Sequence, residues 1–315
     1  MEFKNLIVEK KNNILYITIN RPKNLNALNS ETIAELSKTI DILNDDLALR
    51  GAILTGSGEK AFVAGADIKE FSSFNIKQGM FLAKNGQEIL FDKIEKSHKP
   101  FIACVNGYAL GGGCELLMHC NRRVTHTESY IGLVEMGVGL LPAGGGCKEM
   151  ARRAAKHKDL FTTLAQYFEQ IGLAKVSESA KLAIEMGYLD DNDVIISQRL
   201  ELLHVAKQQA KLMINEHYRP EDVDQAFRVG GASAKANILA QLTNMRIGEF
   251  ISQHDELIAQ KIADVLCGGE VDANTEVNSQ YLLDLEKTHF IELLKQDKTQ
   301  ERIEHMLIKH KPLRN

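Results

Sequence analysis

Two glutamates and three glycine-bearing stretches are the parts of this 315-residue chain whose residue types suit chemistry. The stretches are AFVAGADIKEF at 61–71, NGYALGGGCELL at 106–117 and YIGLVEMGVGLLPAGGG at 130–146. Small residues at such positions let backbone N–H groups face a ligand with no Cβ in the way. In the second stretch, Gly111-Gly112-Gly113 leads straight into a helical pattern, whose free N–H groups and dipole favour negative charge. Glu115 falls in the first turn of that helix, and Glu135 precedes a glycine-rich turn of its own. Two carboxylates beside a backbone anion site suit proton transfer on a carbonyl compound. The plainer reading is a tight turn followed by a glutamate that complements a helix dipole, and spacing alone leaves both open.

Other chemistries find less support. There is no GxxxxGK[ST], and Gly137-Val138-Gly139 runs into Leu140, Leu141 and Pro142 without completing GxGxxG. The ten histidines include no HxH or HExxH pair, so no metal site is expected, and His119 and His126 read as packing or surface residues. With 38 Lys+Arg against 42 Asp+Glu, the net charge of -4 argues against nucleic-acid or anionic-membrane partners. No apolar run reaches the ~18 residues of a membrane span. The opening MEFKNLIVEKKNN resembles neither a secretory signal nor a transit peptide. Five scattered cysteines without a CxxC read as reduced thiols, and the expected location is cytoplasmic.

The elements that must position these residues follow from pattern. NLIVEK and ILYITI flank Asn12-Asn13 as a hairpin. Asn29 or Ser30 caps a helix through Ile33, Leu36, Ile40 and Leu43. GAILTG, AFVAG and FIACVNG read as buried strands, RRVTHT as a short one, and a helix is expected over about 77–97. Most of the 23 glycines precede residue 150, and the remainder of the chain has long helical periodicity. One stripe there is Leu203, Ala206, Ala210 and Met213; another, Ile258, Ile262 and Val265, closes at Gly268. RPEDVDQAFRVGGASAKA at 219–236 reads as a loop. Strands alternating with helices predict an α/β fold.

AFVAGADIKEF, KPFIACVNGYALGGGCEL and NRPKNLNALN, taken in order and at their spacing, closely resemble the crotonase (enoyl-CoA hydratase/isomerase) superfamily over about residues 5–190. From GLVEMGVGLLPAGGG to HKPLRN the chain resembles something narrower, the hydratase portion of bacterial bifunctional 3-hydroxyacyl-CoA dehydrogenase/enoyl-CoA hydratases. No dinucleotide fingerprint stands in this sequence, so no dehydrogenase is expected within it.

The resemblance implies a crotonase-like stacked ββα spiral core over 1–190 and an enlarged C-terminal α-helical region over 191–315 for oligomer assembly. It implies a homotrimer or dimer of trimers and an acyl-CoA thioester as substrate, with no separate cofactor. Ala66 and Gly112 match the two oxyanion-hole amides, and Glu115 and Glu135 match the catalytic glutamates. Lys23, Ala27, Ala64, Asp67, Ile68 and Lys69 match CoA-binding positions. The implied reaction is syn addition of water across the 2,3 double bond of a 2-enoyl-CoA in β-oxidation. The alternatives are a Δ3,Δ2-enoyl-CoA isomerase or another crotonase-type acyl-CoA enzyme. A CoA-binding assembly subunit partnering a separate 3-hydroxyacyl-CoA dehydrogenase is a third reading.

Some residues depart from the family pattern or resist it. Cys120-Asn121 stands where Cys-Asp is usual, and Leu133-Val134 replaces the polar pair before the second glutamate. That apolar pair should make the surroundings of Glu135 drier and raise its pKa. Phe71, Phe74 and Phe81 are candidates to line an acyl pocket, and Arg152, Arg153, Lys156 and Lys158 form either a solvated face or an approach for CoA phosphates.

Overall fold

The computed structural model describes residues 3–71 and 86–315. In chain order the strands are β1 (Leu6–Lys11), β2 (Ile14–Ile19), β3 (Gly51–Gly56), β4 (Ala61–Val63), β5 (Phe101–Val105), β6 (Tyr108–Leu110), β7 (Arg122–His126), β8 (Ile131–Gly132), β9 (Val194–Ile196), β10 (Phe227–Arg228) and β11 (Glu276–Val277). The helices are α1 (Ser30–Asp45), α2 (Ile68–Phe71), α3 (Asp92–Glu95), α4 (Gly112–His119), α5 (Gly146–Ala155), α6 (Leu160–Gly172), α7 (Ala180–Glu185), α8 (Leu202–Asn215), α9 (Gly231–Ile247), α10 (Gln253–Cys267), α11 (Ser279–Leu294) and α12 (Asp297–Lys309). A π-helical turn, Gly86–Phe91, leads into α3, so the described part of the helix expected over 77–97 is present.

Chain contacts divide the molecule into two compact units. The first comprises residues 1–67, 85–132 and 176–223. It holds a six-stranded sheet in the order β1-β2-β3-β5-β7-β9, parallel except for the β1–β2 hairpin, and a three-stranded parallel sheet, β4-β6-β8. Successive strand pairs β3–β4, β5–β6 and β7–β8 each send one strand to the large sheet and the next to the small one, which makes the stacked spiral. The hairpin turns on Asn12 and Asn13, both left-handed at φ 51° and 63°, as a two-residue turn between twisted strands requires. Asn29 caps α1 by accepting the Thr32 N–H.

The units do not follow a sequence boundary at residue 190. β9 joins the main sheet, and α8 lies on it, burying Leu202, Ala206 and Ala210 against Ile14, Ile53, Ile102 and Val124. The apolar stripe of α8 is therefore centred on Leu202, with Leu203 exposed.

The second unit comprises residues 68–84, 133–175 and 224–315. It is a bundle in which α10 packs on α5, α6, α9 and α11. Ser252 opens α10 with a capping box to Asp255, and Gly268 closes it in the left-handed region at φ 88°. Of the stretch expected as a loop at 219–236, residues 219–226 lie outside any helix or strand as expected, Phe227–Arg228 form β10, and 231–236 instead begin α9. Gly231 is needed there because a β-carbon would stand 2.4 Å from the carbonyl carbon of Asp272. Its presence marks a close backbone approach, which in sequence is indistinguishable from a loop. All five cysteines are buried, and none forms a disulfide. Among the described residues no helix is long and apolar enough to cross a membrane.

Candidate active site

In the first unit, Leu28 forms a parallel bridge with Ala66: its N–H donates to the Gly65 carbonyl at 2.9 Å and its carbonyl accepts the Asp67 N–H at 2.8 Å. In a parallel bridge the flanking residues make the bonds, so the N–H of Ala66 itself is directed away from Leu28. The start of α4 lies beside it: a β-carbon on Gly112 would lie 3.8 Å from the Ala66 nitrogen and 3.9 Å from Glu115 Oε2. Ala66, Gly112 and Glu115 are thus brought together, as the resemblance implies.

The start of α4 is built for this. Gly111 sits at φ 53°, ψ -125°, a conformation closed to side chains, and its N–H donates to the Gly132 carbonyl at 2.8 Å. α4 has no side-chain N-cap, and its first N–H groups and dipole favour negative charge. Gly113 lets the helix touch β4, since a β-carbon there would be 2.0 Å from the Val63 carbonyl oxygen. Glu115 is 4% exposed in the first turn. Its carbonyl accepts the Nδ1–H of His119 at 2.7 Å, and that ring stacks on Phe91 at 5.1 Å. His119 is the packing residue it was expected to be.

The positions expected to bind CoA are described unit by unit. Ala27 and Asp67 are buried, Ala64 is half-buried and Lys23 is exposed. Ala64 N–H donates to the Leu25 carbonyl at 3.1 Å, tying its strand end to the 21–27 loop. In the second unit, Ile68 opens α2 and Lys69 is exposed on it. Sequence reasoning missed Arg21, which clamps the loop by donating from Nη1 to the Ala27 carbonyl and from Nη2 to Asp67 Oδ2 at 2.7 Å. It also missed Asn26, whose Nδ2 donates to the carbonyls of Ser57 and Ala61 at 2.9 and 2.8 Å. Both lie inside the quoted motif, but only their distant partners reveal the role.

Glu135 belongs to the second unit and opens a 3-10 turn, Glu135–Val138, three residues after Gly132 in the chain. Leu133 is fully buried, as the apolar substitution before Glu135 suggested. The Glu135 carbonyl accepts the N–H of Leu140 at 3.1 Å, and Gly139 reverses the chain at φ 83°.

The Gly144-Gly145-Gly146 end of the third glycine stretch is filled from within the protein. Glu286 of α11, fully buried, accepts the N–H of Gly145 at 2.9 Å and of Lys148 at 2.6 Å, filling the N-terminal anion position of α5. Nor are Arg152 and Arg153 a solvated face, for both donate to buried Glu149 at 2.8 Å. Burial pushes the Glu149 carboxyl up, but Arg152, Arg153 and Lys148 outweigh it and hold the group well below the usual carboxylate range. Asn121 replaces the usual aspartate with two partners: Oδ1 accepts the Phe101 N–H at 2.7 Å and Nδ2 donates to the Tyr218 hydroxyl at 2.7 Å. The side chains of Phe71, Phe74 and Phe81 lie outside the described residues.

Comparison with known proteins identifies the family. A family model described as enoyl-CoA hydratase/isomerase matches residues 9–174, more than half of the chain. The chain is 36% identical over 295 residues to a probable 3-hydroxyacyl-CoA dehydrogenase of Bacillus subtilis, covering 92% of this chain and 37% of that protein. It is 44% identical over 152 residues to a short-chain-enoyl-CoA hydratase of Clostridium acetobutylicum, covering 48% of this chain and 58% of that one. The chain therefore spans between about a third and three fifths of the length of these relatives. Among solved structures, an enoyl-CoA hydratase from Bacillus halodurans superposes with a TM-score of 0.65 at 19% identity, over 96% of this chain and 99% of that one. One from Bacillus anthracis gives 0.59 at 23% identity over 99% of both. At those identities the structures establish the crotonase fold, while the family match covers residues 9–174. The chain belongs to the enoyl-CoA hydratase/isomerase family.

Proposed function

We propose that this protein is an enoyl-CoA hydratase, adding water across the 2,3 double bond of a 2-enoyl-CoA to give a 3-hydroxyacyl-CoA. The observation that carries the reading is the approach of the Ala66 and Gly112 backbones beside the buried carboxylate of Glu115. Glu135 is the second carboxylate of this proposal, as the resemblance implies, and it stands three positions after Gly132, whose carbonyl accepts the Gly111 N–H.

The chemistry follows from charge. As water oxygen bonds to C3, the C2–C3 π electrons move toward the thioester carbonyl, which becomes an enolate oxygen. Two fixed N–H donors aimed there are each worth about 3 kcal/mol. Glu115 accepts a proton from the water, and Glu135, protonated at the outset, delivers one to C2. The substrate gains H and OH, and a later water returns the proton from Glu115 to Glu135. CoA enters as part of the substrate, and no resident cofactor takes part.

The remaining assignments belong to the same proposal. The exposed side chains of Ile247 and Phe250, 76% and 79% accessible, support burial in an oligomer, read as a trimer or dimer of trimers. The B. subtilis relative's name supports a 3-hydroxyacyl-CoA dehydrogenase as partner, since such an enzyme consumes the product formed here. The bacterial relatives support a cytoplasmic location.

The test is loss of conjugated-enoyl absorbance over a series of acyl chain lengths, with Glu115→Gln and Glu135→Gln beside the parent. A parent that hydrates at least one enoyl-CoA, with each variant slowed at least about 100-fold, supports the reading. A parent inactive on all of them, or variants as fast as the parent, rejects it. A parent that only moves a 3,4 double bond to the 2,3 position is an isomerase instead.

A further inference from the structure

The helix farthest from the glutamates in sequence holds the turn that carries Glu135. α12 packs against both α2 and the 135–138 turn. Thr299 Oγ1 donates to the Gly139 carbonyl at 2.9 Å, and its oxygen accepts the Nε2–H of buried His254 at 2.9 Å. Arg302, 1% exposed, places Nη1 3.4 Å from the Met136 carbonyl and pairs Nη2 with Asp255 Oδ1 at 2.9 Å. Gly139 is fitted to this contact as well as to its left-handed backbone. A β-carbon there would stand 3.0 Å from both Cα and Oγ1 of Thr299 and 3.2 Å from Arg302 Cδ.

We propose that Thr299 and Arg302 are positioning residues for the hydration reaction, acting through the backbone of the Glu135 turn. The inference rests on the hydratase reading above, because it gives Glu135 a proton to deliver. Two carbonyls of the turn, those of residues 136 and 139, are each held from α12, and Glu135 opens that turn. A general acid must lie within hydrogen-bond reach of the carbon it protonates, and displacements of about 1 Å remote from the chemistry cost ~100-fold. Arg302 is itself buried on an aspartate, so its removal strands a charge and threatens folding. Thr299 can be changed more gently.

The experiment compares Thr299→Val, Thr299→Ser and the parent in enoyl-CoA hydration, with thermal unfolding and amide exchange of the 135–140 segment on the same samples. Thr299→Val should lower kcat about 10- to 100-fold with KM within about threefold, and Thr299→Ser, which keeps the hydroxyl, should recover most of it. Exchange across 135–140 should rise in the valine variant. In a Glu135→Gln background the valine substitution should cost less than about threefold, because both changes act on one group. A folded valine variant with the parent's kcat overturns the proposal while leaving the hydratase reading intact. So does a loss that persists in full on top of Glu135→Gln. A parent inactive on every enoyl-CoA overturns both.

Discussion

The amide nitrogen of Ala66 lies 3.8 Å from where a β-carbon on Gly112 would stand. That spacing is ordinary van der Waals contact, so Gly112→Ala should fold. The methyl would nonetheless sit among the Ala66 nitrogen, the helix start and Glu115 Oε2, where the proposed reaction would put the thioester oxygen. We expect kcat to fall about 100-fold or more, with little change in unfolding temperature. Steady-state hydration and a thermal melt on one preparation check both halves.

Gly113→Ala should fail differently. A β-carbon there would meet the Val63 carbonyl oxygen at 2.0 Å, backbone against backbone, so α4 must shift off β4. The expected cost is about 3 kcal/mol, seen as a lower denaturant midpoint before any activity is assayed. A variant as stable as the parent would contradict the packing described.

Arg21→Met removes the donors to Ala27 and Asp67 that close the 21–27 loop. The effect should fall on CoA binding: KM up about tenfold, kcat within about threefold. Substrate-saturation curves against the parent decide it; a change confined to kcat would place Arg21 elsewhere in the mechanism.

Glu286→Leu leaves the N–H groups of Gly145 and Lys148 buried without their acceptor. Loss of about 3 kcal/mol is expected by chemical denaturation, with Glu286→Gln retaining part of it.

Acid should weaken the protein partly through His254. Burial pushes its ring down to about 4, with Arg302 and Lys298 adding to the effect, against an ordinary value of 6.5. In the unfolded chain the ring takes a proton near pH 6.5; in the folded chain it resists until about 4. Its contribution is therefore full above about pH 6.5, declines as pH falls, and levels off below about 4. His254→Gln keeps a donor for Thr299 and cannot titrate, so its stability between pH 7 and 4 should fall less steeply than the parent's.

Features set by near neighbours were legible in the sequence. Asn12-Asn13, the Asn29 cap and the Gly268 stop depend on a few adjacent residues, and each is found where local rules place it. Glu115 at a helix start after a glycine run was legible as a candidate from residue type, whereas Ala66 and Gly112 were singled out only by the family resemblance. What was hidden depends on partners far along the chain. α8 buries Leu202 rather than Leu203 because the sheet, not the helix, sets which face is inward. Arg152 and Arg153 look solvent-facing until Glu149 is seen between them, and PAGGG looks like an anion site until Glu286 is seen in it. The start of α9 was hidden because Gly230-Gly231 admits a neighbouring backbone, a reason that sequence cannot distinguish from flexibility.

The hydrogen bond from Thr299 to Gly139 joins residues 160 positions apart. At the ~5–20 residues per second of protein synthesis, roughly 10–30 s pass on the ribosome between the two. The Leu28–Ala66 bridge and the start of α4 can form early in that interval, whereas the loop bearing Glu135 waits for its last strut. On the proposed hydratase reading, a nascent chain would hold the backbones of Ala66 and Gly112 well before the Glu135 turn is braced, and thioester turnover would wait until translation has passed Thr299.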